Sequence, residues 1–169
     1  MLKYRFATID DLDLYFKWVN DELVRKNSLN TQKIIYEDHI DWFSRKISNP
    51  NVVMYLFFNE VNIPIGQVII EKLEKWSSIG QSVAKDHRGK KYSSEMLTKS
   101  TNDFLNIYPK ETIVSVVKAA NIASLKMAEH SGFILLSEEN REENILVLKG
   151  YKQKNEDFIA EAKRHYNLI

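Results

Sequence analysis

The chain contains no cysteine among its 169 residues, which excludes disulfide staples, thiolate zinc sites and cysteine nucleophiles together. Glycine and proline are scarce, five and three residues, and no low-complexity or Pro/Gly/Ser-rich run marks a linker. One domain is therefore expected, long enough to bury a core. No apolar run reaches membrane-spanning length and no signal-peptide pattern follows Met1, so a cytoplasmic protein without a membrane partner is expected. Neither sign of charge dominates, since 24 Lys and Arg face 23 Asp and Glu for a net +1. That balance speaks against nucleic acid as a partner, and any anion site has to be local.

What is present is a set of periodic segments. Residues 3–8 alternate like a strand, and Asp10 is placed to cap a helix with the apolar stripe Leu12, Tyr15, Phe16 and Val19. A polar stretch over residues 20–33 precedes a second helix with Tyr36, Ile40, Phe43 and Ile47 on one face. The run VVMYLFF is apolar on both faces, as in a strand covered on both sides, and residues 64–73 follow as its antiparallel partner. Residues 76–85 form another strand, and residues 89–108 a helix with Leu97, Thr101, Phe104, Leu105 and Tyr108 inward, stopped by Pro109. Residues 112–118 are rich in β-branched side chains, Asn121 caps a short helix, and Gly132 ends it as a left-handed residue with Phe133 packing back. Two last strands, residues 133–137 and 144–150, flank a charged hairpin loop, and an amphipathic tail follows with Phe158, Ala162, His165 or Tyr166, and Ile169. The whole reads as α/β (α+β), with a mixed sheet.

The segment RGKKYSS, Arg88 to Ser94, lies between a strand end and a helix start. Backbone N–H groups there lack intrahelical partners and the helix dipole presents its positive end. Gly89 permits close backbone approach, Ser93 and Ser94 add hydroxyls, and Lys90 with Lys91 add charge, a combination suited to a phosphate or diphosphate. The cluster is a single turn without interleaved aromatic platforms, unlike a nucleic-acid surface.

Three segments, VAKDHRG (83–89), RGKKYS (88–93) and NIASLKMAEHSGF (121–133), together resemble the GNAT superfamily of acetyl-CoA-dependent N-acetyltransferases in order and spacing. The resemblance implies a mostly antiparallel sheet of about six or seven strands flanked by helices, a domain over residues 1–151, and a helical tail, 152–169, packed on that domain or on a partner. It implies acetyl-CoA as co-substrate and no metal. Val83 would offer its backbone to the pantetheine arm, the amides from Lys90 through Ser94, including Lys91 and Ser93, would hold the pyrophosphate with Gly89 opening the turn, and Arg88 would support it. Asn121 would hydrogen-bond the pantetheine, with Ser124 near the sulfur. Family glycines are replaced by Lys91 and Ser93, and the tyrosine many members use as general acid falls at Ala128.

Direct attack of a neutral amine on the thioester needs a proton acceptor. His39 titrates in the right range, and Glu71, near a strand end, is the second candidate. For the acceptor, Trp18, Asn20, Asp21, Arg25, Ser28, His39, Trp42 and Phe43 fit W-x-N-D-x-x-x-R-x-x-S followed by H-x-x-W-F. That pattern resembles GNAT members that acetylate nucleotide-linked amino-deoxysugars, including enzymes of the pseudaminic-acid pathway. It implies Asn20, Arg25, Ser28 and Trp42 as substrate-binding groups, a sugar needing hydrogen bonds and a flat apolar platform. The alternatives are acetylation of a protein N-terminus or ribosomal protein and, with Ala128 in mind, a non-catalytic acetyl-CoA-binding module. A monomer or a homodimer fits equally.

Overall fold

The structure, a computed structural model, describes residues 1–141, 144–151 and 158–167. Its centre is a seven-stranded sheet in the order β1-β2-β3-β4-β5-β7-β6. The strands are β1 (Lys3–Phe6), β2 (Val52–Phe58), β3 (Pro64–Lys72), β4 (Ser77–Val83), β5 (Ile113–Lys118), β6 (Ile134–Arg141) and β7 (Asn144–Tyr151). Every neighbouring pair is antiparallel except β4 and β5. A parallel pair needs a long crossover, and the helix between them, residues Tyr92–Ile107, supplies it.

Period-2 alternation on β2 explains why VVMYLFF has no polar face. Tyr55 and Phe57 pack with Met96, Leu97, Phe104 and Leu105 of the crossover helix. Met54 and Leu56 point the other way, to Tyr15 and Trp18 of α1 (Leu12–Val19) and to Phe43 of α3 (Tyr36–Ser48). Phe43, Phe57 and Phe104 are fully buried, each contributing about 1.5–3 kcal/mol.

Local signals are read out at several termini. The helix α5 (Ile122–His130) starts at Asn121, whose Oδ1 accepts the Ser124 N–H at 3.3 Å. It stops at Gly132, φ +83°, where Phe133 N–H donates to Ala128 O and Gly132 N–H to Glu129 O, both at 3.0 Å, with Phe133 buried. This is the paired C-terminal closure expected of a left-handed glycine. With the crossover helix numbered α4, the last helix is α6 (Ile159–His165). Phe158 and Ala162 are buried against Trp76 and Val114, and the Tyr166 ring lies 5.7 Å from that of Trp76. Residues 138–141, expected in the charged hairpin loop, extend β6 instead, while the rest of that loop, 142–143, and the expected contribution of Ile169 lie outside the described residues.

Three expectations are corrected. The stretch after Asn20 contains a short helix, α2 (Glu22–Asn27), because Asp21 accepts the N–H groups of Leu23 at 3.1 Å and Val24 at 3.2 Å and so caps it. The first turn is a 3-10 turn over Ile9–Asp11, and Asp11 rather than Asp10 organises it, accepting the Thr8 N–H at 2.8 Å and two hydrogen bonds from Arg5, each 2.7 Å. The buried face of α3 carries His39 and Phe43, while Tyr36 and Ile40 are 40% and 37% exposed. One position is about 100° of helix, so a stripe traced through apolar residues alone was displaced by the polar His39 it passed over. On α1, likewise, Trp18 is buried with Tyr15 while Leu12, Phe16 and Val19 are half-buried.

Gly66 is required by a close approach between strands. A Cβ on it would lie 2.5 Å from the Ser82 carbonyl oxygen and 2.8 Å from Met96 Cε. Gly66→Ala should therefore destabilise the protein by about 1–3 kcal/mol in urea unfolding, and a shift within error would show that β4 yields without cost.

Candidate active site

The parallel ladder between β4 and β5 has two pairs, Ser77 with Ile113 and Ser78 with Val114, after which the strands part. Each keeps its outer partner throughout, β4 as far as Val83 opposite Gly66 and β5 as far as Lys118 opposite Leu146. The opening is a cavity of about 300 Å³ walled by Ile79–Val83, by residues 115–117, by Asn121 with Ser124 and Ala128 of α5, and by Leu23, Val24 and Asn27 of α2 with Ser28 just after it. On the face covered by α4 and α5 the cavity is bounded by Leu97, Met127 and Ala128. Strand backbones that have parted from each other can pair with a ligand containing amides.

The mouth is the turn from Arg88 to Lys91. Gly89 has φ +76° and Lys91, the residue preceding α4, φ +63°. Lys91 stands where the family pattern has glycine and adopts the glycine conformation, at a cost of about 1–2 kcal/mol. The turn is thus retained despite the substitution. Lys90 and Lys91 are exposed, and Ser93 is half-buried in the first turn of α4. Ser94 is committed elsewhere, its hydroxyl sharing a hydrogen bond with Ser131 at 3.1 Å. Arg88 also turns inward, donating from Nε to the Val83 carbonyl at 3.1 Å and from its terminal nitrogen to the Asp21 carboxylate at 2.5 Å. Burial would raise the pKa of Asp21, but Arg88 and the N–H groups of Val24 and Leu23 together hold it below the usual carboxylate range.

Gln81, which the sequence reading passed over, lies in the cavity wall. Its Nε2 faces Met127 Sδ at 3.2 Å, and its Oε1 is buried without a hydrogen-bond partner. An orphaned acceptor in a ligand cavity fits an incoming amide N–H. Strand alternation places Gln81 beside Ile79 and Val83 on the α4 and α5 face, but only the tertiary arrangement puts that position on a cavity.

Several predicted site residues are not in the cavity. His39 is 1% exposed, its Nε2 lies 3.1 Å from the Leu12 carbonyl, and its ring sits among those of Phe16, Trp42 and Phe43 at 5.3–5.8 Å. Trp42 belongs to the same aromatic cluster. Burial pushes the pKa of His39 down, opposed by the Leu12 carbonyl and by Asp13, so the neutral ring is a core group. Glu71 pairs with Lys46 at 2.5 Å and stands opposite Ser78. It is therefore some five residues along β4 from Val83, roughly 16 Å, at the closed end of the junction. Asn20 exchanges two 2.9 Å hydrogen bonds with the backbone of Ile34. Arg25, expected in a loop, is on α2 and donates to the carbonyls of Val19, Asn30 and Gln32 and to Ser28 Oγ. These two are clamps for the chain around α2, and of the expected acceptor-side groups Ser28 lines the cavity. Among the described residues no carboxylate or imidazole lines it.

The opened junction thus combines parted strand edges, an orphaned acceptor and an adjoining turn that starts a helix. The chain belongs to the GNAT acetyltransferase domain family, whose model matches residues 2–134. Its activity is accordingly N-acetyl transfer, with acetyl-CoA as co-substrate. No curated protein matches the sequence. Among solved structures, spermidine N-acetyltransferase from Vibrio cholerae, crystallised with CoA and spermine, is similar at TM-score 0.79 and 13% identity over 88% of this chain and 94% of that one. A domain from Methanocaldococcus jannaschii is similar at TM-score 0.73 and 21% identity over 89% and 98% of the two chains. At these identities the likeness is one of fold.

His39→Ala should lower stability by about 2–4 kcal/mol while kcat per folded molecule stays near wild type; a large fall in kcat at unchanged stability would return His39 to catalysis. With the native pKa below the ordinary 6.5, the His39 contribution is complete above that value and lost as pH falls through the native pKa. Thermal midpoints at pH 7 and pH 5 should therefore differ less for His39→Gln than for the wild type.

Proposed function

We propose that the acetyl acceptor is a small primary amine carried on a neutral or anionic molecule, and that a nucleotide-linked amino-deoxysugar is the class that fits best. The observation behind this reading is the charge of the cavity wall, which has Arg88 but no carboxylate among its lining residues. A polyamine, cationic at each end, is normally held by carboxylates, and Asp21, near the mouth, already serves Arg88. A neighbouring cavity of about 350 Å³ shares Val83 and Arg88 with the first and is lined besides by Lys17, Lys85, His87 and the Trp18 indole, with two carboxylates, Asp21, which serves Arg88, and Asp86. Cations beside a flat apolar ring suit a nucleotide diphosphate.

The amides from Lys90 to Ser94 would hold the pyrophosphate, Val83 and Asn121 the pantetheine arm, and Ser124 would lie near the sulfur, with Gln81 Oε1 as a further acceptor. Acetyl-CoA supplies the activated acyl group. A wall without carboxylates does not stabilise an ammonium ion, so an amine entering it is favoured in the neutral, nucleophilic form. The nitrogen forms the new C–N bond as the C–S bond breaks. Since the opened junction is lined by no carboxylate or imidazole and Ala128 occupies the usual position of the acid, the ammonium proton leaves through water.

Thiol release measured with a UDP-linked 4-amino-4,6-dideoxyhexose, spermidine and an N-terminal peptide tests the reading. The nucleotide sugar should exceed the other two in kcat/KM by at least about tenfold, and preferred turnover of spermidine would overturn it. Lys91→Glu should raise the acetyl-CoA KM about tenfold through repulsion of the diphosphate, and an unchanged KM would refute the placement of the pyrophosphate.

A further inference from the structure

The helix α2 buries none of its residues, and six residues are too few to be helical on their own. Its position comes from ties to other parts of the chain: Arg25 holds the neighbouring carbonyls of Val19, Asn30 and Gln32, and two further ties run to opposite arms of the opened junction. At its start, Asp21 Oδ1 accepts the capping N–H groups of Leu23 and Val24 and, at the same oxygen, the Arg88 guanidinium. Arg88 also holds the carbonyl of Val83, the last residue of β4. At its other end, the Lys26 carbonyl accepts the ammonium of Lys118, the last residue of β5, at 3.1 Å. Leu23, Val24 and Asn27, at i, i+1 and i+4, line the cavity between. The helix is a crossbar between the two parted strands, and one of its ties passes through Arg88, the residue that begins the turn before α4.

We propose that Asp21 and Lys118 are positioning residues that couple coenzyme binding to the acceptor wall: seating of the coenzyme along β4 and the Arg88–Lys91 turn immobilises Arg88, and through Asp21 this sets α2 and the apolar face it offers the amine. The inference rests on the reading of the opened junction as the coenzyme site. Cations reach α2 from both sides, but Asp21 alone joins the cap and the turn through one atom. Asp21→Asn separates the two duties, since asparagine caps as well as aspartate but carries no charge for Arg88.

Hydrogen exchange of the full chain with and without saturating coenzyme A tests the coupling, alongside calorimetric affinity. In the wild type the coenzyme should slow exchange across residues 88–94 and, by about threefold or more, across residues 22–28. In Asp21→Asn the slowing at 88–94 should persist while that at 22–28 disappears. In Lys118→Gln the free protein should exchange faster at 25–28. For whichever amine turns over best, Asp21→Asn should raise the acceptor KM about tenfold and the acetyl-CoA KM less than about threefold. Equal slowing at 22–28 in the wild type and Asp21→Asn, or matched rises in both KM values, would overturn the proposal. A wild type that shows neither affinity for coenzyme A nor slowing at 88–94 would instead overturn the coenzyme reading, and the coupling with it.

Discussion

The parting of β4 from β5 after two paired positions is the constraint on which the rest of the molecule depends. Continuing the ladder to Val83 and Lys118 would close the sheet and leave no cavity. The open junction forgoes several backbone hydrogen bonds, each worth about 1 kcal/mol, and the fold tolerates this because both strands remain paired along their outer edges. Aromatic packing on the two sides of β2 and the burial of Trp76 by α6 stiffen the frame around the gap. The crossover that makes β4 and β5 parallel is also what delivers the start of α4, with its unpartnered N–H groups, to the mouth of the opening.

Charge is distributed around this gap with little of it inside. Arg25, Asn20, Asp21 and Arg88 look like ligand-binding groups in isolation, yet each is occupied in holding the chain, and the opened junction itself is lined mostly by apolar and neutral polar residues. Among the described residues the opened junction is lined by no carboxylate and no imidazole, so its own wall supplies position more than a dedicated acid or base.

Legibility differed by the range of the interactions involved. Strand β2, the Asn121 cap, the Gly132 closure and the anion-receptive turn were readable because each follows from the conformational preferences of residues close in sequence. Even the departure at Lys91 kept its turn, since the surrounding chain imposes a left-handed residue there whatever its side chain. The cap at Asp21 carried a legible signal in D-E-L-V, but a helix this short buries nothing and so shows no stripe. His39 and Glu71 misled for a related reason. A titratable side chain advertises chemistry in a sequence, whereas its pKa and its access to substrate depend on what surrounds it.

The amino-acid sequence by itself determined the periodic elements, their caps and the left-handed turn that starts α4, because these rest on contacts within a few residues. Only the tertiary structure decided that His39 lies in an aromatic core, that Glu71 stands at the closed end of the junction, that Gln81 faces the cavity, and that a six-residue helix bridges two strands. Those outcomes depend on pairings between residues as distant as Asp21 and Arg88 or Lys26 and Lys118, and loop closure over such separations is set by the packing of the whole chain, not by local preference.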